Sequence, residues 1–245
     1  MRFLYDDYSA LLESLEKNGY IFTDYHSYNG LKKCVILRHD VDYNLKKAIK
    51  IAELEADKGI KSTFFILLTT DFYNIYALDN KSIIRNIASM GHEIGLHFDE
   101  ANYNRESKGL DEIVSNIVWE AESLSNAIDY KITTVSMHRP SKMVLEANLK
   151  ISNIVNTYDE IFFKHFKYIS DSRGRWREPV DEIIDKNMYN RLHILTHPFW
   201  YNDRELSIKE SLIHFINDAA VDRYDLLKDN FTDLYEFVKK DSIIK

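Results

Sequence analysis

The stretch CVILRHDVD at residues 34–42 decides the fold, because four apolar residues run directly into a group of charged ones. A short, continuous apolar run is typical of a strand buried on both faces, as in a parallel sheet. Side chains alternate along a strand, so Arg38, Asp40 and Asp42 are expected on one side. Two carboxylates on one face require a cation, a shared proton or an arginine, although Asp also commonly caps a following helix. Polar residues at the other strand ends favour a functional role for this pair.

Further apolar runs recur along the chain with helical periodicity between them. The predicted strands after 34–37 lie at 62–68, 92–97, 132–138, 153–157, 166–170 and 192–197. Alternating strands and helices predict an α/β protein whose parallel sheet is covered by helices. Six or seven such units suit a distorted (β/α) barrel. Functional groups in these folds lie just after the strands, at their carboxyl ends.

The domain organisation is predicted to be simple, because no Pro/Gly/Ser-rich linker or repeat interrupts the sequence. We expect one domain over residues 1–245. Within it, 1–33 is an N-terminal helical extension, 34–200 is the motif-bearing barrel, and 201–245 contains closing helices.

Composition narrows the class of function and the compartment. The 245 residues contain 32 Lys and Arg against 39 Asp and Glu, a net charge of −7, so no basic surface for nucleic acid is expected. The single cysteine, Cys34, excludes a disulfide framework or a Cys-rich zinc site within one chain. The sequence has no signal-peptide pattern and no apolar run of membrane-spanning length. These features predict a cytoplasmic protein without a membrane span.

Ionisable residues gather at the predicted strand ends. His97 ends one strand, and Asp99 lies on the same side if the chain stays extended; together with the first two aspartates they suit a divalent metal such as zinc. Arg139 precedes Pro140, which should hold it extended and aim its guanidinium at a carboxylate. His197 ends the last strand and offers a titratable group near neutral pH.

Two tryptophans are candidates for substrate binding. Trp176 and Trp200, the latter between Phe199 and Tyr201, could form aromatic walls for a sugar ring. They could equally pack the mouth of the barrel, and the sequence favours neither reading.

The order RHDVD, GIKSTFF, GHEIGLH, HRPS and LTH resembles the NodB-homology, or polysaccharide deacetylase, family (carbohydrate esterase family 4) over about residues 34–200. In particular, it is similar to the branch that carries the HDVD form of the first motif and is associated with lipopolysaccharide or capsule biosynthesis. This resemblance implies a distorted (β/α) barrel and a divalent metal, zinc, that assists removal of acetyl groups from amino sugars.

The resemblance also implies roles for single residues. Asp40 matches the general base, Arg139 matches the arginine that orients the base, and His197 matches the general acid. Asp171 stands where the family places an acidic residue of its fourth motif, and we group it with the tryptophans as a substrate-binding candidate.

The implied metal site departs from the family pattern at one position. Asp42 and His97 match two ligands, but Ala101 stands where the family has its second metal histidine. Asp99 or His138 would supply the third ligand, or the metal is bound weakly or not at all. We prefer Asp99 because of its expected shared face with His97.

The predicted function is a metal-dependent hydrolase that removes an acyl group from an amino sugar or sugar precursor in surface polysaccharide biosynthesis. A cytoplasmic location favours a nucleotide-linked or lipid-linked sugar as its partner. The alternatives are a cyclic amide or imide hydrolase on the same barrel, and a non-catalytic member that binds a sugar or a partner and has lost its full metal site.

Overall fold

A parallel β-sheet forms the centre of the structure, a computed structural model that describes residues 1–103 and 109–243. Within these residues the sheet has eight strands in the spatial order β6-β5-β4-β3-β2-β8-β7, and β1 pairs with β2 beside this path. The strands are β1 (Ile21–Thr23), β2 (Cys34–Val41), β3 (Thr63–Leu67), β4 (Glu93–Phe98), β5 (Thr134–Met137), β6 (Val155–Asn156), β7 (Lys167–Ser170) and β8 (Arg191–Thr196).

Helices lie before, between and after these strands along the chain. They are α1 (Tyr5–Lys17), α2 (Leu45–Ala56), α3 (Leu78–Ser89), α4 (Leu110–Ile128), α5 (Lys142–Glu146), α6 (Glu160–Lys164), α7 (Val180–Asp185), α8 (Ile208–Leu227) and α9 (Leu234–Phe237), with 3-10 turns at Glu100–Asn102, Pro198–Trp200 and Lys240–Ser242. In the part of the chain that the structure describes, no helix has the length and apolar character needed to cross a membrane.

The prediction of an α/β fold with a distorted barrel of six to seven parallel strands is confirmed. Seven strands form the main path of the sheet, and the pairings along it are parallel. The path ends at β6 on one side and β7 on the other, and no pairing joins these two strands among the described residues. The sheet is therefore a half-barrel.

The chain divides into two compact units, Met1–Tyr201 and Asn202–Lys245. This boundary lies one residue after the predicted start of the closing helices, and the single-domain organisation stays a prediction. The predicted N-terminal extension is helical only in part, because β1 pairs with the first half of β2. The extension thus contributes a strand to the sheet.

Alternation along β2 assigns its side chains to two separate layers. Val35 and Leu37 belong to the large core that packs under the helices, whereas Cys34 and Ile36 join a smaller cluster that contains Phe65. Both sets are fully buried, which explains the continuous apolar run. The charged residues that continue the second set lie on the inner face of the half-barrel.

The helix that follows β2 begins without help from the aspartates. Asn44 is the N-cap of α2, and its side chain accepts a hydrogen bond from the amide of Lys47. Asp40 and Asp42 are therefore available for another role.

A buried polar network joins the first helices to the outer face of the sheet. Glu55 on α2 accepts hydrogen bonds from the Tyr8 hydroxyl at 2.5 Å and the Ser62 hydroxyl at 2.6 Å. His39 Nε2 lies 3.0 Å from the same carboxylate, and its Nδ1 lies 2.7 Å from the Thr196 hydroxyl. Burial raises the pKa of Glu55, but His39, His92 and the Ser62 hydroxyl together outweigh burial, so the pKa is lowered. The network ties α1, α2, β2 and β8 together.

A second buried carboxylate, Glu120 on α4, is only half satisfied. The Tyr103 hydroxyl donates to Glu120 Oε1, while Oε2 is buried and has no hydrogen-bond partner among the described residues. Burial, with a smaller contribution from the charge of Asp99, raises the pKa of Glu120 to about 7. The side chain is thus close to its protonation midpoint at neutral pH.

Gly95 on β4 offers a test of packing inside the half-barrel. A Cβ at this position would lie 2.6 Å from Phe65 Cδ1 and 3.1 Å from the Thr134 carbonyl oxygen. We expect Gly95→Ala to lower the free energy of unfolding by about 1–3 kcal/mol, measured by urea denaturation. Gly109→Ala is the control, since no atom of the described residues lies within 4 Å of its added Cβ, and its effect should stay below about 1 kcal/mol. Equal effects of the two substitutions would contradict this packing.

Glu120 offers a test by pH. Its folded pKa of about 7 lies above the ordinary value of 4.5, so the folded state binds the proton more tightly than the unfolded state. The free energy of unfolding should therefore fall as pH rises from about 4.5 through about 7, by about 3 kcal/mol in total.

Glu120→Gln cannot lose a proton and should remove this dependence. In chemical denaturation, the free energy of unfolding of the variant should therefore rise relative to that of wild type as pH increases from 5 to 8. Glu122→Gln, an exposed position on the same helix, is the control and should follow wild type. A Glu120→Gln profile parallel to that of wild type would contradict the assignment.

Candidate active site

Asp40 is held by an arginine from its own strand. Arg38 Nε donates to Asp40 Oδ1 and Arg38 Nη2 to Asp40 Oδ2, both at 2.8 Å. Arg38 is fully buried and also donates to the hydroxyls of Thr157 and Ser136. Burial raises the pKa of Asp40, but the charge and hydrogen bonds of Arg38, together with His97 and His197, outweigh it, and the pKa is lowered. Asp40 is therefore an ionised carboxylate that can accept a proton.

In this structure Arg38 contacts Asp40, and a role of Arg139 in orienting Asp40 stays a prediction. Arg139 Nε instead donates to His138 Nε2 at 2.8 Å. The predicted extended posture fails because Arg139 has a left-handed backbone, with φ 47°. The chain turns at this residue and brings the guanidinium back over its neighbour. Alternation along β2 was the signal for Arg38, because it places Arg38 and Asp40 on one face.

Three donors from different strands converge beside Asp40. Asp42 Oδ1 lies 3.2 Å from His97 Nε2 and 3.4 Å from His138 Nδ1, and the two histidine nitrogens are 3.0 Å apart. All three residues are buried, and Asp42 Oδ1 has no hydrogen-bond partner among the described residues. Metal–ligand distances of about 2.0–2.1 Å in a tetrahedral site place ligand atoms about 3.4 Å apart. The three donors therefore fit a zinc site.

The third donor is His138 and not Asp99, which the sequence analysis preferred. Asp99 Oδ1 accepts a hydrogen bond from the Ala101 amide at 2.9 Å and caps the 3-10 turn Glu100–Asn102. Asp99 keeps extended backbone angles, φ −108° and ψ 102°, but its side chain caps the turn instead of joining His97. The alternative ligand, His138, comes from the end of the neighbouring strand β5.

Arg139 affects which nitrogen of His138 carries a proton. A neutral imidazole whose Nε2 accepts a hydrogen bond has its proton on Nδ1. A cation can bind His138 Nδ1 only if this nitrogen carries no proton. The proton must then be on Nε2, so Arg139 must release Nε2. The side chain of Arg139 is exposed, so it has room to do so.

His197 lies at the same edge of the sheet and is held by Asp171. His197 Nδ1 is 2.5 Å from Asp171 Oδ1, and the His197 amide donates to Asp171 Oδ2 at 2.9 Å. Burial lowers the pKa of His197, but the charge of Asp171, aided by Asp42 and Asp40, raises it to about 9. His197 Nε2 remains 3.9 Å from Asp42 Oδ2, so the ring directs this N–H toward the three donors.

Asp171, which we grouped with the substrate-binding residues, contacts His197 in this structure, and a role in substrate binding stays a prediction. Its side chain is fully buried and its carboxylate is occupied by His197. Burial raises the pKa of Asp171, whereas His197 opposes that shift. Asp171 is a positioning residue for His197.

Trp200 belongs to a line of aromatic rings beside the cluster. It contacts Phe199 edge to face at 4.8 Å, Phe199 contacts Tyr43 at 4.9 Å, and Tyr43 contacts Phe72 at 5.1 Å. Tyr43 directly follows Asp42, and Phe72 is 54% exposed. This line, residues 43, 72, 199 and 200, forms an aromatic wall next to the candidate site. Sugar binding by Trp200 stays a prediction.

Trp176 has a different environment. Its ring lies parallel to that of Phe3, with centroids 6.4 Å apart, and packs against the large core. Its Nε1 is buried without a hydrogen-bond partner in the described part of the chain. A direct role of Trp176 in substrate binding stays a prediction.

Comparison with known proteins gives matches among solved structures. No family model and no curated protein matches this sequence. The chain is similar to a family 4 carbohydrate esterase from Bacillus anthracis, at 17% identity and TM-score 0.43, over 84% of this chain and 82% of that one. It is also similar to the chitin deacetylase of the fungal pathogen Colletotrichum lindemuthianum, at 15% identity and TM-score 0.46, over 75% and 81%.

A third similar structure is a carbohydrate esterase family 4 pseudoenzyme from Bacillus anthracis. The identity is 19% and the TM-score 0.43, and the match covers 76% of this chain. The chain spans about 60% of the length of that pseudoenzyme.

The three-donor cluster predicts a definite order of metal affinities. We expect isothermal titration calorimetry of the metal-free protein to show one Zn²⁺ per chain. Asp42→Asn and His138→Gln each remove a donor and should weaken binding by about a hundredfold. Asp99→Asn is the matched control and should bind within about twofold of wild type, because Asp99 caps a turn instead.

Two results would contradict this assignment. A loss of Zn²⁺ affinity in Asp99→Asn with retention in His138→Gln would restore Asp99 as the third ligand. No binding by wild type would exclude the cluster as a zinc site.

Proposed function

We propose that the protein is a metal-dependent hydrolase that removes the acetyl group from an acetylated amino sugar. One observation carries this proposal: an ionised carboxylate, a three-donor cluster and a charged imidazole converge at one edge of the sheet. His97 Nε2 lies 3.5 Å from Asp40 Oδ2, and His197 Nε2 lies 3.9 Å from Asp42 Oδ2. Base, cation site and acid are thus adjacent. The motif order that resembles the NodB-homology family supports the same chemistry.

Asp42, His97 and His138 would hold the cation. A divalent ion at such a site supplies Lewis-acid chemistry, by polarising a carbonyl and making water more acidic. The donor set contains one carboxylate and two imidazoles, which suits zinc.

Asp40 is the proposed general base. Its carboxylate stays ionised because Arg38 binds both of its oxygens. Asp40 Oδ2 is close to the metal donors, so it can take a proton from a water molecule that attacks the acetyl carbonyl carbon. Arg38 holds the carboxylate in place during this step.

His197 is the proposed general acid. Asp171 accepts from His197 Nδ1, so the proton to be donated is on Nε2, which is directed toward the cluster. The raised pKa keeps this ring protonated at neutral pH. It can therefore give its proton to the amine that leaves when the amide bond breaks.

The substrate is proposed to be a sugar precursor for surface polysaccharides. Support comes from the HDVD form of the first motif and from the aromatic wall beside Asp42, whose rings suit stacking on a sugar. A nucleotide-linked or lipid-linked acetylated amino sugar meets this description.

Acetate release tests the proposed reaction. The Zn²⁺-loaded protein should release acetate from N-acetylglucosamine derivatives, and Asp40→Asn and His197→Gln should each lower kcat by about 10²–10⁴-fold. Asp99→Asn should keep wild-type turnover. Thermal unfolding and Zn²⁺ titration of each variant separate lost chemistry from lost folding.

Two outcomes would reject parts of the proposal. Turnover by Asp40→Asn within a few-fold of wild type would remove the base. A folded, Zn²⁺-loaded wild type that releases no acetate from free, nucleotide-linked or lipid-linked N-acetylglucosamine would reject deacetylation.

A further inference from the structure

The loop after β7 carries three arginines at alternate positions. The sequence SDSRGRWR at residues 170–177 places Arg173, Arg175 and Arg177 within five residues of a chain whose net charge is −7. All three side chains are exposed. This local concentration of positive charge has no part in the reaction described above.

The loop begins at the candidate active site. β7 pairs with β8 in parallel, with Ser170 opposite Leu195, and the next residue, Asp171, holds His197. The Arg175 amide donates to the Asp171 carbonyl at 3.3 Å, and the Arg177 amide donates to the Ser170 carbonyl at 3.0 Å. These bonds fold the loop back on its own start. The arginines therefore lie at the same edge of the sheet as His197.

Two of the three guanidinium groups are uncompensated. Arg177 donates to the Ser172 hydroxyl at 3.1 Å. No carboxylate lies within ion-pair distance of Arg173 or Arg175 among the described residues, and neighbouring Glu178 pairs with Lys167 at 2.6 Å. Arg173 and Arg175 thus offer their donors to a ligand.

A cavity opens beside the loop and gives an anion room to bind. Its volume is about 480 Å³, and its lining includes Gly174, Arg175, Arg177 and Glu178 together with the Trp176 and Phe3 rings. Arg173 is not a lining residue but directly precedes Gly174 in the loop. This volume lies in the range of small-molecule sites. Guanidinium groups bind phosphate oxygens through paired, charge-assisted hydrogen bonds.

We infer that this loop binds a phosphate group esterified to the sugar substrate, through Arg173 and Arg175. The inference rests on the proposed function, since it names what the acetylated sugar carries. The phosphate is bound and takes no part in bond breaking. A nucleotide-linked and a lipid-linked sugar share this chemistry, and the test separates them.

Direct binding of an anion is the first test. Inorganic pyrophosphate titrated calorimetrically into the Zn²⁺-loaded protein should bind wild type at least tenfold more tightly than the Arg173→Gln/Arg175→Gln variant. The matched control is Lys61→Gln/Lys131→Gln, which removes the same charge at exposed positions just before β3 and β5, at the opposite ends of the strands, and should bind like wild type. The variants keep the metal donors, so binding of the anion to zinc is common to all three proteins.

Turnover of three substrates is the second test. The Arg173→Gln/Arg175→Gln variant should raise KM at least tenfold, with little change in kcat, for a phosphate-bearing sugar, but not for free N-acetylglucosamine. A rise seen with UDP-N-acetylglucosamine identifies a nucleotide-linked substrate. A rise confined to prenyl-pyrophosphate-linked N-acetylglucosamine identifies a lipid-linked one.

The outcomes separate this inference from the proposed function. Equal pyrophosphate affinity in the three proteins, or an unchanged KM for every phosphate-bearing sugar, overturns the inference even if acetate is released. Arginine-dependent pyrophosphate binding without acetate release from any sugar supports the phosphate site and rejects deacetylation.

Discussion

The buried ion pair between Arg38 and Asp40 is the constraint on which the rest of the site depends. Removing two charges from water costs several kcal/mol per ion unless their partners are well placed. Here the guanidinium binds both carboxylate oxygens, and the hydroxyls of Thr157 and Ser136 take its remaining donors. The inner face of the half-barrel is therefore polar around Arg38 and Asp40. It is apolar around Ile36, which lies two residues before Arg38 on the same face of β2.

This polar layer prepares the edge of the sheet for chemistry. Asp42 follows Asp40 on the same face, and β4 and β5 bring His97 and His138 beside it. Because the positive charge of Arg38 already balances the negative charge of Asp40, the cluster of Asp42 and two histidines is the group available to bind a cation. His197 directly follows β8, the strand that pairs with the other edge of β2, and Asp171 orients its ring. Asp40 and His197 thus each have a positioning partner, Arg38 for the first and Asp171 for the second.

Much of the fold and part of the site could be predicted from local patterns. The run CVIL, the later apolar runs and the helical stripes between them predicted the parallel sheet, because burial on both faces demands continuous apolar strands. The ends of these strands predicted Asp40, Asp42, His97 and His197 as neighbours. Two expectations failed just beyond the strands: the side chain of Asp99 caps a turn, and Arg139 adopts a left-handed backbone.

The sequence by itself determined the α/β class and the polar strand ends. It also determined that Arg38 and Asp40 lie on one face, since period-two alternation is a local property of a strand. Only the tertiary structure decided that His138 and not Asp99 joins Asp42 and His97, and that Asp171 supports His197. Those contacts depend on the order and register of strands far apart in the chain. Backbone turns after each strand then decide which side chains reach the common edge.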